Sequence, residues 1–336
     1  MNALIRILRQ GVVWLAIASL CWGCSKLPTL STNPWQAIEL PTAATLLDLD
    51  FMGDEQHGWL VGSRATLFET LDGGLTWQPR TLELEEEDKL TFTAVSFVGD
   101  EGWIVGKPSI LLHTQNGGQT WERVALSEKL PGSPYSVFAL GPQQAEMVTD
   151  VGAIYRTEDG GQTWQALVQE AVGVVRNLSR APDGSYVAVS SRGSFYSTWQ
   201  PGDAAWLQHN RTSSRRLQSM GFGRDGRTWL IARGGQLQFA DSAIAEDWGE
   251  VVYPEPSTSW GLLDAAYRTP TEIWVTGGSA NLLVSFDGGQ TWEKDRLVED
   301  VPANFYQVEF ESPERGFILG DRGILLRYDP QAAAVG

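Results

Sequence analysis

Thr70-Leu71-Asp72-Gly73-Gly74-Leu75-Thr76-Trp77 describes a tight hairpin turn running into a strand. The aspartate can accept backbone N–H bonds within such a turn. Glycine supplies the positive φ that the turn demands. The tryptophan opens the next strand with a large ring to bury. The pattern S/T-x-D/N-x-G-x-T-W returns, from Thr114 to Trp121 (TQNGGQTW), from Thr157 to Trp164 (TEDGGQTW) and from Ser285 to Trp292 (SFDGGQTW). Three further sites keep only the tryptophan: Gly202-Asp203-Ala204-Ala205-Trp206, Glu246-Asp247-Trp248 and Asn33-Pro34-Trp35. Trp35, Trp77, Trp121, Trp164, Trp206, Trp248 and Trp292 therefore stand 42 to 44 residues apart.

That period fits one four-stranded unit per repeat. The second unit shows the strands as short β-branched and aromatic runs broken by Gly, Asp and Asn. They are Phe92–Phe97, Gly102–Gly106, Ile110–Thr114 and Trp121–Leu126. Equivalent first strands begin near Leu46, Phe92, Tyr135, Val175, Leu217, Leu262 and Tyr306. Trp59, Trp103, Trp229 and Trp274 fall on second strands and read as core. Phe305–Tyr328 supplies three strands and then stops, while Trp35–Leu40 is a fourth strand with no first three. Pairing them hides both sheet edges. The expected fold is all-β, a seven-bladed β-propeller closed by its N-terminal strand on its C-terminal blade. Its turns are similar to the Asp-box of sialidase-type propellers.

The chain of 336 residues carries a formal net charge of −16. That argues against wrapping nucleic acid, which needs clustered Lys and Arg. Cys21 and Cys24 are the two cysteines, so the body has no disulfide framework and no cysteine-ligated metal site. Arg6 and Arg9 precede an apolar run, Gly11–Leu20, that is too short to span a bilayer. Gly23-Cys24 then resembles a bacterial lipoprotein processing site, with a lipid on Cys24 holding the domain on a membrane surface. The expected order is a lipoprotein-type signal peptide (1–23), a tether (24–34), the propeller (35–330) and a tail (331–336).

Function is sought in the charge map. Residues 45–172 hold 20 acidic and 7 basic side chains, and residues 235–336 hold 17 and 6. Residues 173–234 hold nine arginines, no lysine and only Asp183, Asp203 and Asp225 as acids. Arg192 and Arg233 sit on turns between second and third strands. Arg211, Arg215 and Arg216 fall in the loop between blades four and five, on the same face. Arg176 starts a first strand near that face, and Arg180 lies at the strand's far end. Arginine's planar fork binds carboxylates and backbone oxygens and is enriched at protein hot spots. The cluster therefore reads as a docking site for an acidic or carbonyl-rich protein segment. The run Glu85-Glu86-Glu87-Asp88 reads as solvated. His57, His113 and His209 lack metal-ligand spacing, and no phosphate-cradling loop or nucleophile elbow is present. No cofactor, metal or catalytic residue is expected. A carbohydrate-binding or sialidase-like hydrolysing propeller is the alternative. It would need carboxylates and a tyrosine converging at the central channel.

Four Asp-boxes, the second strands Gly58–Gly62 and Gly102–Gly106, seven units, Cys24 in an export signal and the arginine-rich middle belong together. On these residues the chain resembles the photosystem II stability/assembly factor family of cyanobacteria and chloroplasts, over roughly residues 25–330. The lipoprotein signal resembles that of a cyanobacterial member. The resemblance implies a monomeric, non-enzymatic chaperone, lipid-anchored on the lumenal side of the thylakoid membrane. Newly made D1 protein would be bound and helped to join D2 and cytochrome b559. The family's basic surface maps onto Arg176, Arg180, Arg192, Arg211, Arg215, Arg216 and Arg233.

Overall fold

The computed structural model describes residues 29–333 except 54, 85–88, 212, 224 and 255–260. The signal peptide, Cys24 and the Glu85–Asp88 run lie outside the described residues. Seven antiparallel sheets form the blades of the propeller. Their first strands begin at Leu46, Thr91, Pro134, Val175, Leu217, Leu262 and Phe305, within one residue of the sequence reading. Trp35–Glu39 pairs with Ile324–Tyr328 of the last blade, Trp35 opposite Tyr328 and Glu39 opposite Ile324. The ring is thus closed by its own two ends.

Two details differ from expectation. Fourth strands in blades 1, 2, 3 and 6 are only two residues long, for example Glu122–Arg123 rather than Trp121–Leu126. Blade 5 has three strands, Leu217–Phe222, Thr228–Ala232 and Gln236–Ala240. Its turn Asp241–Ile244 lacks the Gly-Gly pair. The chain returns at Gly249, whose N–H donates to the Phe239 carbonyl at 2.9 Å, and at Val252, which exchanges two backbone hydrogen bonds of 2.8 and 2.9 Å with Leu237. Ahead of Trp35, Thr29 bridges Lys294, and Leu30 packs against the core between blades 6 and 7.

The boxes hold the blades together. Asp72 accepts the Thr76 N–H at 2.8 Å and the Thr76 and Thr70 hydroxyls at 2.6 and 2.8 Å. Asp159 and Asp287 repeat the arrangement, and Asn116 imitates it. Each turn then caps an aromatic ring of the preceding blade. Trp121 meets Trp59 edge-on at 5.8 Å, and Trp164 meets Trp103 at 6.0 Å. Gly118 has φ +85°, and a Cβ there would lie 2.2 Å from the Trp59 ring. Gly99 has φ +59° and open space around it. Gly118→Ala is therefore expected to lower stability by about 1–3 kcal/mol more than Gly99→Ala, because it adds overpacking to the shared backbone strain. Equal losses in urea melts would contradict this seam packing.

Candidate partner-binding face

Arg192 stands on the turn between the second and third strands of blade 4, and Arg233 on the matching turn of blade 5. The loop carrying Arg215 and Arg216 runs between these turns. Leu217 N–H donates to the Gly193 carbonyl at 2.8 Å, and Arg233 N–H donates to the Arg216 carbonyl at 2.9 Å. Three arginine-bearing segments are thereby fixed side by side. Gly193 makes the approach possible, since a Cβ there would sit 2.4 Å from the Leu217 carbonyl oxygen. Gly234 likewise leaves room for the Arg215 guanidinium, whose Nη1 lies 2.2 Å from where a Cβ would stand. Arg192, Arg215, Arg216 and Arg233 are all exposed. Among the described residues none of the four has a carboxylate within ion-pair distance.

The other three arginines do different work. Arg176 donates to the Ser191 carbonyl at 2.9 and 3.3 Å and to Gln218 Oε1 at 3.1 Å, bracing the Arg192 turn from below. Arg211 is half-buried and donates to Gln238 Oε1 at 3.1 Å. Desolvation pulls its guanidinium pKa down. Arg180 is not brought to this face. It pairs at 3.0 Å with Glu146, a carboxylate that is 1% exposed and also binds Arg156 and the Tyr186 hydroxyl. An unpaired Glu146 would be costly, so Arg180 is held at the opposite end of the strand.

Sequence reasoning missed Glu146. Its signal is its register: it occupies the second-strand position that carries Trp59, Trp103, Trp229, Trp274 and Phe317 elsewhere. Also missed was a lacing of the central channel. In four blades the third residue of the first strand follows a bulge and is Asp48, Asn177, Ser219 or Asp264. Each bonds the next blade's backbone: Asp48 accepts from Val95 at 2.9 Å, Asn177 from Met220 at 2.8 Å and Asp264 from Val308 at 2.9 Å, while Ser219 donates to Leu263 at 2.5 Å.

The channel thus contains carboxylates and tyrosines, as the sugar-hydrolase alternative requires. Asp48, Asp50 and Asp264 are tied to backbone N–H groups of the next blade. Burial raises the Tyr135 hydroxyl pKa instead of activating it. The histidines brace the frame: His57 lies 2.7 Å from Glu69, His113 2.8 Å from Glu101, and His209 2.6 Å from Glu246. The box carboxylates are saturated too, and the Thr291 side chain and N–H hold Asp287 down to about 2.

Burial pushes Asp48 up to about 8 and Asp50 and Asp264 up to about 7. These folded values exceed the unfolded one, so the folded protein binds more protons through neutral pH. Their stabilising contribution is full below pH ~4 and is lost as pH rises through ~7–8. The melting temperature is expected to rise from pH 8.5 to pH 5.5. The Asp48→Asn/Asp50→Asn variant should flatten that slope. A wild-type melting temperature that falls over this range would contradict the assignment.

The chain is thus a seven-bladed propeller with four exposed arginines grouped on one side. The family model of the photosynthesis system II assembly factor YCF48 matches residues 27–329, and the chain belongs to that family. Photosystem II assembly lipoprotein Ycf48 of Trichormus variabilis is 61% identical over 319 residues, covering 95% of this chain and 94% of that protein. A solved structure of YCF48 bound to D1 peptide aligns with a TM-score of 0.87 at 59% identity, covering 90% of this chain and 99% of the other. YCF48 from Cyanidioschyzon merolae aligns at 0.82 and 40%, covering 88% and 99%.

Proposed function

We propose that this protein is a non-enzymatic photosystem II assembly factor that binds newly made D1 through Arg192, Arg215, Arg216 and Arg233. Arg176 and Arg211 hold the presenting loops. The observation that carries the reading is the group of four exposed guanidiniums, unpaired among the described residues, on a chain of net charge −16. Exposed cations in fixed positions can engage carboxylates and backbone carbonyls of an incoming segment. The related structure with a D1 peptide supports D1 as the ligand. Binding would keep D1 in a form ready to join D2 and cytochrome b559.

A lipid on Cys24 would hold the ring at the lumenal face of the thylakoid membrane. Four residues separate Cys24 from Thr29, which is docked on blade 6, and the five steps span at most ~18 Å. The outer edge of blade 6 would then ride close to the bilayer. The test is a pull-down from solubilised thylakoid membranes. Wild type should recover D1, D2 and cytochrome b559, and a variant with the four arginines changed to Ala should lose them. Equal recovery by both would refute the reading.

A further inference from the structure

A cavity lies on the opposite face, in the seam between blades 4 and 5. At that register of the second strand, five blades place Trp59, Trp103, Trp229, Trp274 or Phe317 against the next blade. Blade 4 has Val187 there. The facing turn of blade 5, Asp241–Ile244, also lacks the Gly-Gly box that caps the ring in blades 1, 2 and 3. The ring of this seam is instead Tyr196 on the third strand, which Trp248 meets edge-on at 5.9 Å, so the second-strand ring and the Gly-Gly turn are both absent. The result is a cavity of about 390 Å³. That volume falls within the range of small-ligand pockets.

The cavity has a definite chemistry. Its wall is apolar, with Val187, Trp199 and Phe222, and the exposed Ile244 sits at its edge. Asp183, Asp225 and Asp241 are exposed and line the same opening. Arg227 shares Asp225 at 2.7 Å, yet its other nitrogen donates to Pro270 and its guanidinium stacks on Tyr267, away from the cavity. Arg180 is held by Glu146. Asp183 accepts the Ser185 N–H of its own turn at 2.9 Å and lies exposed at the surface. An apolar hole edged by carboxylates complements an apolar or aromatic side chain flanked by cations.

We infer that the blade 4–5 cavity receives a basic polypeptide segment, which inserts an apolar side chain beside Val187 and sets flanking Lys or Arg against Asp183 and Asp241. The site faces away from Arg192, Arg215, Arg216 and Arg233, so both faces can be occupied at once. It does not depend on the D1 reading. The protein would then bridge an acidic or carbonyl-rich segment on one side and a basic one on the other.

The test uses the blocked tripeptide Lys-Phe-Lys, with Glu-Phe-Glu as its charge-reversed counterpart. Each is titrated into the propeller while the Trp199 indole N–H and the Gly226 and Ser242 amides are followed by NMR. Lys-Phe-Lys should give saturable shifts at these positions, and Glu-Phe-Glu should not. Asp183→Asn with Asp241→Asn should weaken Lys-Phe-Lys at least tenfold. Val187→Trp, which adds a ring at the second-strand position and fills the cavity, should abolish its binding and leave D1-peptide affinity unchanged. No saturable shift in wild type, equal affinity for both tripeptides, or undiminished binding by the double Asn variant would overturn the proposal. The Asn variant decides the matter even if Val187→Trp does not fold.

Discussion

Removing residues 29–39 is expected to lower the melting temperature by at least ~10 °C, the largest stability loss foreseen for a short truncation. The removed strand supplies five paired residues to Ile324–Tyr328. Trp35 is 3% exposed and wedged among Trp274, Phe310 and Tyr328, with ring centroids 5.3, 5.8 and 5.3 Å away. Losing a buried aromatic of this kind costs about 3–5 kcal/mol. The lost ladder contributes further at roughly 0.5–1.5 kcal/mol per hydrogen bond. In a protein of this size 1 kcal/mol shifts the midpoint by about 2–4 °C. The truncation also leaves Ile324–Tyr328 as an open edge, a template for aggregation. Trp35→Ala alone should give about half the effect, which separates ring packing from strand pairing. An unchanged midpoint in the truncation would contradict closure by the two ends.

Changing Arg192, Arg215, Arg216 and Arg233 together to Ala is expected to weaken D1-peptide binding at least ~100-fold while leaving the melting temperature nearly unchanged. Arginines at interfaces often cost more than about 1 kcal/mol each when truncated. Among the described residues the four have no carboxylate to lose, so stability should stay within ~0.5 kcal/mol. Arg180→Ala predicts the reverse pattern. It strips one of three partners from Glu146, which should destabilise the fold by about 1.5–3 kcal/mol while sparing the peptide. Raising salt should weaken the wild-type complex, because exposed charges are screened within about 8 Å at physiological ionic strength. Replacing the four with Lys should recover only part of the affinity, since charge is restored without the planar fork. Isothermal titration at two salt concentrations reads all of these outcomes.

The frame was legible because each box names its own geometry. Asp72 followed by Gly73 and Gly74 can be little else than a turn, and the tryptophan spacing counts the blades. Blade 5 was less legible, because a turn without Gly-Gly leaves no local signal of how long the chain wanders before Val252. The arginine face was visible as composition, and its turn positions followed from the repeat. Which arginines stay exposed was not. The repeat placed Arg192 on a turn and Arg180 at the far end of a first strand, but gave no sign that Arg180 is held by the buried Glu146, 34 positions before it. Long-range pairing of that kind depends on the ring being assembled. The blade 4–5 cavity was hidden for a related reason: Val187 is an ordinary strand residue until its register is compared with Trp59 and Trp103.

The central claim is the location of the D1 site, and hydrogen exchange tests it most directly. Amide protection is measured across the propeller with and without saturating D1 peptide, using overlapping peptides that cover its lumenal segments. The account predicts new protection confined to residues 191–194, 211–216 and 233–235, with the box turns at Asp72, Asp159 and Asp287 unchanged. Protection centred on the box turns, or on the central channel around Asp48 and Asp264, with none at the arginine loops would contradict it.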